Sequence, residues 1–187
     1  MTLEPTASQT VGPYFQIGLS WLNADRIAAA DCPGQHVTIA GRVLDAQGAG
    51  INDAIIEIWQ ADSHGKYAHP EDTQPGTVTP GFRGFGRVPT DRDGRFRFHS
   101  IKPGPVPDPN GGQQAPHLLV AVFMRGLLKQ AVTRLYFPAE PLNADDRVLR
   151  LVPTQRRGTL IAREVSPGEL SWDIVMQGTN ETVFFDF

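Results

Sequence analysis

The sequence predicts a mainly β protein, an antiparallel β-sandwich with an extended N-terminal arm and little helix. Three observations carry this. From His36 onward, apolar and polar residues alternate over short runs. Turn-forming clusters of Gly, Pro, Asn and Asp separate those runs at intervals of roughly 8–15 residues, the spacing of sandwich strands. The 19 glycines and 16 prolines among 187 residues leave few stretches in which a helix could propagate. At this length the chain has material for one hydrophobic core, divided into an arm over residues 1–35 and a sandwich over 36–187.

Taken in order, the arm shows no period-2 pattern, and its centre QTVGPYF combines Gly12 and Pro13 with two aromatics, so it is read as extended. Ser20 to Ala30 is expected to hold one short helix. HVTIAGRVLD and DAIIEIWQAD, joined by a Gly-rich turn at Gln47–Gly50, read as an antiparallel pair. TDRDGRFRFH gives a tight turn at Asp93–Gly94, then a strand with Phe96 and Phe98 on one face and Arg95, Arg97 and His99 on the other. The Pro-rich IKPGPVPDPNGG reads as a loop, because proline lacks the donor that a ladder needs. LLVAVFM and AVTRLYF are strands. NADDRVLRL starts a helical turn or two with Asn143 as N-cap. TLIAREV, the turn SPGEL, SWDIVMQG and an aromatic tail NETVFFDF complete the chain.

Lys and Arg number 17 against 20 Asp and Glu, a net charge of −3. No basic field is present to hold nucleic acid or an anionic membrane, so small molecules or proteins are the expected partners. LLVAVFM is far shorter than the roughly 20 residues that cross a bilayer. The single cysteine, Cys32, and the absence of a basic-then-apolar leader predict a cytoplasmic protein.

Motifs that stand alone offer little chemistry. DRDG is followed by Arg95, Phe96 and Arg97, which give a hard cation no oxygens, so it is a hairpin turn rather than a calcium loop. HGKYAH brings His64, Tyr67 and His69 together in sequence, a set that could bind a transition metal only if the loop folded back; exposed loop histidines are the reading adopted. His117 differs. It lies between Pro116 and an apolar strand, where an imidazole needs a partner or a function.

QTVGPYF, IEIWQADSHGKY, FGRVPTDRDGRF, IKPGPVP, APHLLVAVFMRG, LYF and TVFFDF, in this order and spacing, resemble the intradiol ring-cleaving dioxygenases over nearly the whole chain. The resemblance implies a β-sandwich subunit of an αβ enzyme of the β-ketoadipate pathway of aromatic catabolism. That enzyme uses a non-haem ferric ion, Fe(III), and O2 to open protocatechuate between its hydroxyls to 3-carboxy-cis,cis-muconate. In the family's catalytic chain two tyrosines and two histidines hold the iron. Carried onto this sequence, the first tyrosine falls around Gln74, the second on Val106, and the paired histidines on His117 and Leu119, with Gln114 where an arginine is expected. One ligand of four is kept. The implied chain is therefore the alpha subunit, which binds no metal and carries no catalytic residue; Fe(III) is held by the catalytic beta chain, and His117 is a structural remnant satisfied by a hydrogen bond. The resemblance assigns substrate-pocket roles to Thr10, Gly12, Pro13 and Tyr14 in the arm, over the partner's pocket, and to Arg125 near the substrate carboxylate.

Two other readings stay open on the sequence. GRVLDAQGAGINDAIIEIWQ with TDRDGRFRF also resembles transthyretin-like and carboxypeptidase regulatory-like binding modules, which catalyse nothing. A self-sufficient iron enzyme would need Tyr14, Tyr67 and Tyr136 to converge on His117. The aromatic surface of the arm and of the FFDF tail is expected to need a partner to cover it.

Overall fold

The computed structural model describes residues 5–186, so the first four residues of the arm and Phe187 of the tail lie outside the described residues. Two sheets pack face to face. One is antiparallel, with β2 (Ile55–Trp59) between β3 (Phe85–Pro89) and β7 (His117–Phe123), and β8 (Ala131–Tyr136) beyond β7. The other is built on β1 (His36–Leu44), which pairs antiparallel with β4 (Arg95–Ile101) and parallel with β10 (Glu169–Ser171) and β11 (Ile174–Val175); β9 (Arg163–Ser166) flanks β10. The second sheet is thus mixed, where the sequence predicted antiparallel pairing throughout. The alternation sets the core: Val37, Ile39 and Val43 of β1 with Phe96 and Phe98 of β4 face Ile56 and Ile58 of β2 and Leu118, Val120 and Val122 of β7.

The expected hairpin of β1 and β2 does not form; the two strands belong to different sheets. The turn between them closes, with Asp45 N donating to Ala49 O at 3.0 Å and Ile51 N to Val43 O at 2.8 Å. Beyond it the Asp93–Gly94 turn wedges against Gly50, where an added Cβ would meet Asp93 O at 2.1 Å. Thr90 Oγ1 donates to Ile51 O at 2.7 Å and accepts from Ala54 N at 3.1 Å. These bonds turn the chain across the sandwich, and β4 takes the place beside β1.

The arm departs from expectation in two places. Tyr14–Ile17 forms one helical turn, α1. The helix expected over Ser20–Ala30 is reduced to a 3-10 turn at Ser20–Leu22, followed by extended chain with bridges from Ala24 to Arg87, Arg26 to His99 and Ala28 to Phe82. Burial decides this. Ile27 is fully buried between the sheets, and an extended backbone lets it reach in while its neighbours complete the edges of β3 and β4.

The Pro-rich loop carries one small hairpin, β5 (Val106–Pro107) with β6 (Gln113–Gln114). The helix near residue 147 is α2 (Arg147–Leu151), capped by Asp146 rather than Asn143: Asp146 Oδ1 accepts from Leu149 N at 2.8 Å, whereas the Asn143 amide donates to Phe137 O. A further turn, α3 (Thr154–Arg157), follows. The tail is not free aromatic surface. Phe185 N donates to Val132 O, Thr133 Oγ1 donates to Val183 O, and Phe184 and Phe185 are partly buried against the two cores.

Asp146 is fully buried and joins three elements, accepting from Ala115 N at 2.8 Å, Tyr136 OH at 3.0 Å and Leu149 N. Asp146→Ala leaves a buried phenol and two buried amides without acceptors. The expected loss is about 3 kcal/mol in urea unfolding; a loss under about 1 kcal/mol would remove its role as the junction.

Candidate functional site

Two places carry the sequence-derived site residues. The first is a cleft of about 190 Å³ where the arm crosses the turn after β7. Its walls include Gly12, Pro13 and Phe15 from the arm, Ile55 and Asp53 at the start of β2, and Arg125. The arm is fastened there by Thr10: Gly126 N donates to Thr10 Oγ1 at 2.8 Å, and Thr10 Oγ1 reaches Met124 O at 3.5 Å. Arg125 Nε donates to the Asp53 carboxylate, yet the Arg125 side chain is 71% exposed. Its two terminal nitrogens make no hydrogen bond among the described residues, which leaves a guanidinium edge open to solvent.

Phe15 sets the course of the arm. Its ring packs on Phe123, its carbonyl accepts from Arg87 Nη2 at 3.0 Å, and the Arg87 guanidinium lies 4.6 Å from its ring centroid. Arg87 is buried and pairs with Glu57 on the neighbouring strand. The result is asymmetric. Phe15 faces the sheet, while Tyr14 stands 79% exposed and does not line the cleft. Thr10, Gly12, Pro13 and Arg125 are therefore brought together, and Tyr14 projects away from them.

The second place is the set of positions onto which the family's iron ligands map. His117 begins β7 and is 6% exposed. Its Nδ1 lies 2.7 Å from Ala115 O, a pure acceptor, so Nδ1 carries the proton. Burial, with the Arg134 guanidinium nearby, lowers its pKa to about 4, and the ring is neutral near pH 7. Val106 is buried hydrocarbon, and Leu119 stands in register between Trp59 and Arg134. Gln74 donates through Nε2 to Gly65 O and to Asp72, and Gln114 Oε1 accepts from Arg134.

The tyrosines do not compensate. Tyr136 lies beside His117, with ring centroids 5.8 Å apart, but its hydroxyl donates to Asp146, and burial pushes its pKa up. Tyr67 stacks on Trp59 at 6.2 Å and its pKa is also raised by burial. Both shifts oppose the phenolate form that a ferric ion requires. His64 and His69 are exposed and do not converge; His69 sits edge-on to Trp59 at 5.8 Å. Among the described residues no group of three His, Cys, Asp or Glu side chains could hold a metal. One neutral imidazole, two hydrocarbon side chains and an amide do not fit Fe(III).

Sequence reasoning missed Asp53, Phe15, Arg87 and Arg134. Asp53 lies in a turn, and only the fold puts it against Arg125, 72 positions away. Arg87 and Arg134 act on residues distant in sequence, the Phe15 carbonyl and the Gln114 amide oxygen.

The dioxygenase family model matches residues 11–178. The chain belongs to the intradiol dioxygenases. It is 42% identical over 201 residues to the "protocatechuate 3,4-dioxygenase alpha chain" of Burkholderia cepacia, covering 99% of this chain and 98% of that one. The beta chain of the same organism's enzyme is 34% identical over 158 residues, covering 80% of this chain and 67% of that one. The dioxygenase domain of a carbohydrate-binding fusion protein from Streptomyces sp. SirexAA-E superposes with a TM-score of 0.63 at 27% identity, covering 94% of this chain and all of that one. The family uses Fe(III) in general. A transthyretin-like binding module would account for the β1–β4 motifs alone, whereas the intradiol match extends through β11. No helix of the described residues is long and apolar enough to cross a membrane.

The low pKa of His117 has a measurable sign. In the unfolded chain an imidazole titrates near 6.5, so between about pH 6.5 and pH 4 the unfolded chain binds a proton that the native chain does not. Its contribution is complete above that window and lost as pH falls through it. Urea unfolding at pH 7 and pH 4 is expected to show wild type losing about 3 kcal/mol more than His117→Gln; equal losses would mean that the native imidazole is not held neutral.

Proposed function

We propose that this chain is the non-iron-binding alpha subunit of an αβ protocatechuate 3,4-dioxygenase, and that it walls the active site of a catalytic beta chain. The observation that carries the reading is the contrast between its two sites: the mapped ligand positions are filled by Val106, Leu119 and Gln74, while the arm cleft keeps an outward-facing Arg125. In this reading Fe(III) belongs to the beta chain, and the substrates are protocatechuate and O2. The similarity to both alpha and beta chains of one organism's enzyme supports an αβ assembly.

Each arm residue then has a physical task. Thr10 fixes the arm to the turn that bears Arg125. Gly12 and Pro13 present backbone with little side-chain bulk, so a flat ring can approach closely. Tyr14, projecting from the subunit, offers an apolar face with a polar tip to the partner's pocket. The Arg125 guanidinium attracts the benzoate carboxylate, the group that distinguishes protocatechuate from catechol. Tyr14, Ile17, Trp21 and Leu22 give the arm an exposed apolar surface, of the kind covered by a partner chain in an assembly.

Steady-state kinetics on the complex co-purified with a catalytic partner tests the role of Arg125. Arg125→Ala is expected to raise KM for protocatechuate about tenfold or more, as expected for a lost charge-assisted hydrogen bond, and to leave KM for catechol within about twofold. Equal effects on both substrates would remove the assignment.

A further inference from the structure

A broad depression lies over the outward face of the mixed sheet. The outward positions of the mixed sheet form rows across its strands, and one row runs Arg97 on β4, Ala40 on β1, Ser171 on β10 and Arg163 on β9. The next row places Arg42 directly opposite Arg95. A depression of about 880 Å³ covers both rows, with the small side chains of Ala40 and Ser171 in its floor and the four arginines around it. That volume falls within the roughly 300–1,000 Å³ of ligand pockets.

The charge pattern here works against the fold. Opposite positions on neighbouring strands favour unlike charges, and like charges in register destabilise a sheet. Arg42 and Arg95 break this rule, with relief from exposed pairs to Asp173 and Asp93 that contribute little. Two of the three carboxylates that line the depression are already engaged. Asp173 accepts from Arg42 N and Nη2, and Asp91 accepts from Asp93 N and Arg95 N; only Asp25, at the rim, is not. The side chains of Arg97 and Arg163 make no ion pair or hydrogen bond among the described residues. Four arginines meet four aspartates here, Asp25, Asp91, Asp93 and Asp173, so what sets the face apart is not its net charge but two guanidinium groups, Arg97 and Arg163, that no carboxylate among the described residues pairs with, which local sheet stability does not explain.

We propose that this depression binds a small organic anion carrying two carboxylates, one paired with Arg97 and the other with Arg163. The spacing selects that class. Three strand steps of about 4.8 Å put the Cα atoms of Arg97 and Arg163 roughly 14 Å apart, and two guanidinium forks so spaced suit two separated carboxylates better than one compact anion. The small floor leaves room for a hydrocarbon linker, and the Ser171 hydroxyl provides a neutral hydrogen bond along it.

Calorimetric titration of the full chain at low salt, with adipate as the dicarboxylate and hexanoate as its single-carboxylate counterpart, tests this. Adipate is expected to bind about tenfold more tightly than hexanoate, and Arg97→Gln/Arg163→Gln to weaken adipate binding about tenfold or more. Arg97→Lys/Arg163→Lys, which keeps charge but loses the planar fork, is expected to fall between. An unchanged thermal midpoint in each variant ties the loss to the site. Equal binding of the two acids, adipate binding untouched by the double substitution, or tenfold tighter binding of a Glu-rich peptide than of adipate would each overturn the proposal.

Discussion

The insertion of Ile27 between the two sheets is the constraint on which the rest of the molecule depends. Ala24 exchanges backbone hydrogen bonds with Arg87 of β3, Ile27 N donates to the carbonyl of His99 on β4, and His99 N donates back to Asp25 O. One extended segment therefore stitches an edge strand of one sheet to an edge strand of the other, covering edges that would otherwise invite pairing with other chains. It also fixes the direction in which the preceding residues leave the sandwich. From that anchor the arm runs past Arg87, which holds the carbonyl of Phe15, and reaches the turn after β7, where Thr10 takes the Gly126 amide.

The same sandwich treats its two candidate sites in opposite ways. Around His117 three polar side chains have structural partners: the imidazole serves Ala115, the Tyr136 phenol serves Asp146, and Gln114 serves Arg134. Val106 and Leu119 put hydrocarbon beside His117, and burial raises the pKa of the nearby phenols. The arm cleft is the reverse, with Arg125 exposed and half engaged, and Tyr14, Ile17, Trp21 and Leu22 of the arm left in solvent. A subunit that has closed one pocket and opened a surface fits a role beside a catalytic chain.

Much of the fold was legible because alternation and turn chemistry are local. The Phe96/Phe98 face of β4, the apolar β7 and the turns at Asp93–Gly94 and Pro167–Gly168 all follow from residues within a few positions of one another. What was not legible involves choices among distant partners. β1 and β2 read as a hairpin because their connection is a competent turn; the Asp93–Gly94 wedge against Gly50 that sends them to different sheets comes from more than 40 residues away. Ser20–Ala30 has adequate helical propensity, and burial of Ile27 overrides it. In the candidate site, the motifs pointed to Thr10, Gly12, Pro13 and Arg125, but Asp53 bears no local mark, and the outward course of Tyr14 is set by Phe15 packing on Phe123. The tail also read as exposed aromatic surface, although the ladder to β8 buries part of it.

Iron content and visible absorption, measured on this chain purified alone and again in complex with a catalytic chain, test the central claim most directly, because tyrosinate bound to Fe(III) is coloured. The account predicts a colourless, iron-free chain alone and a coloured complex whose iron scales with the catalytic chain. Colour and stoichiometric iron in the isolated chain would contradict it, and would make His117 a ligand.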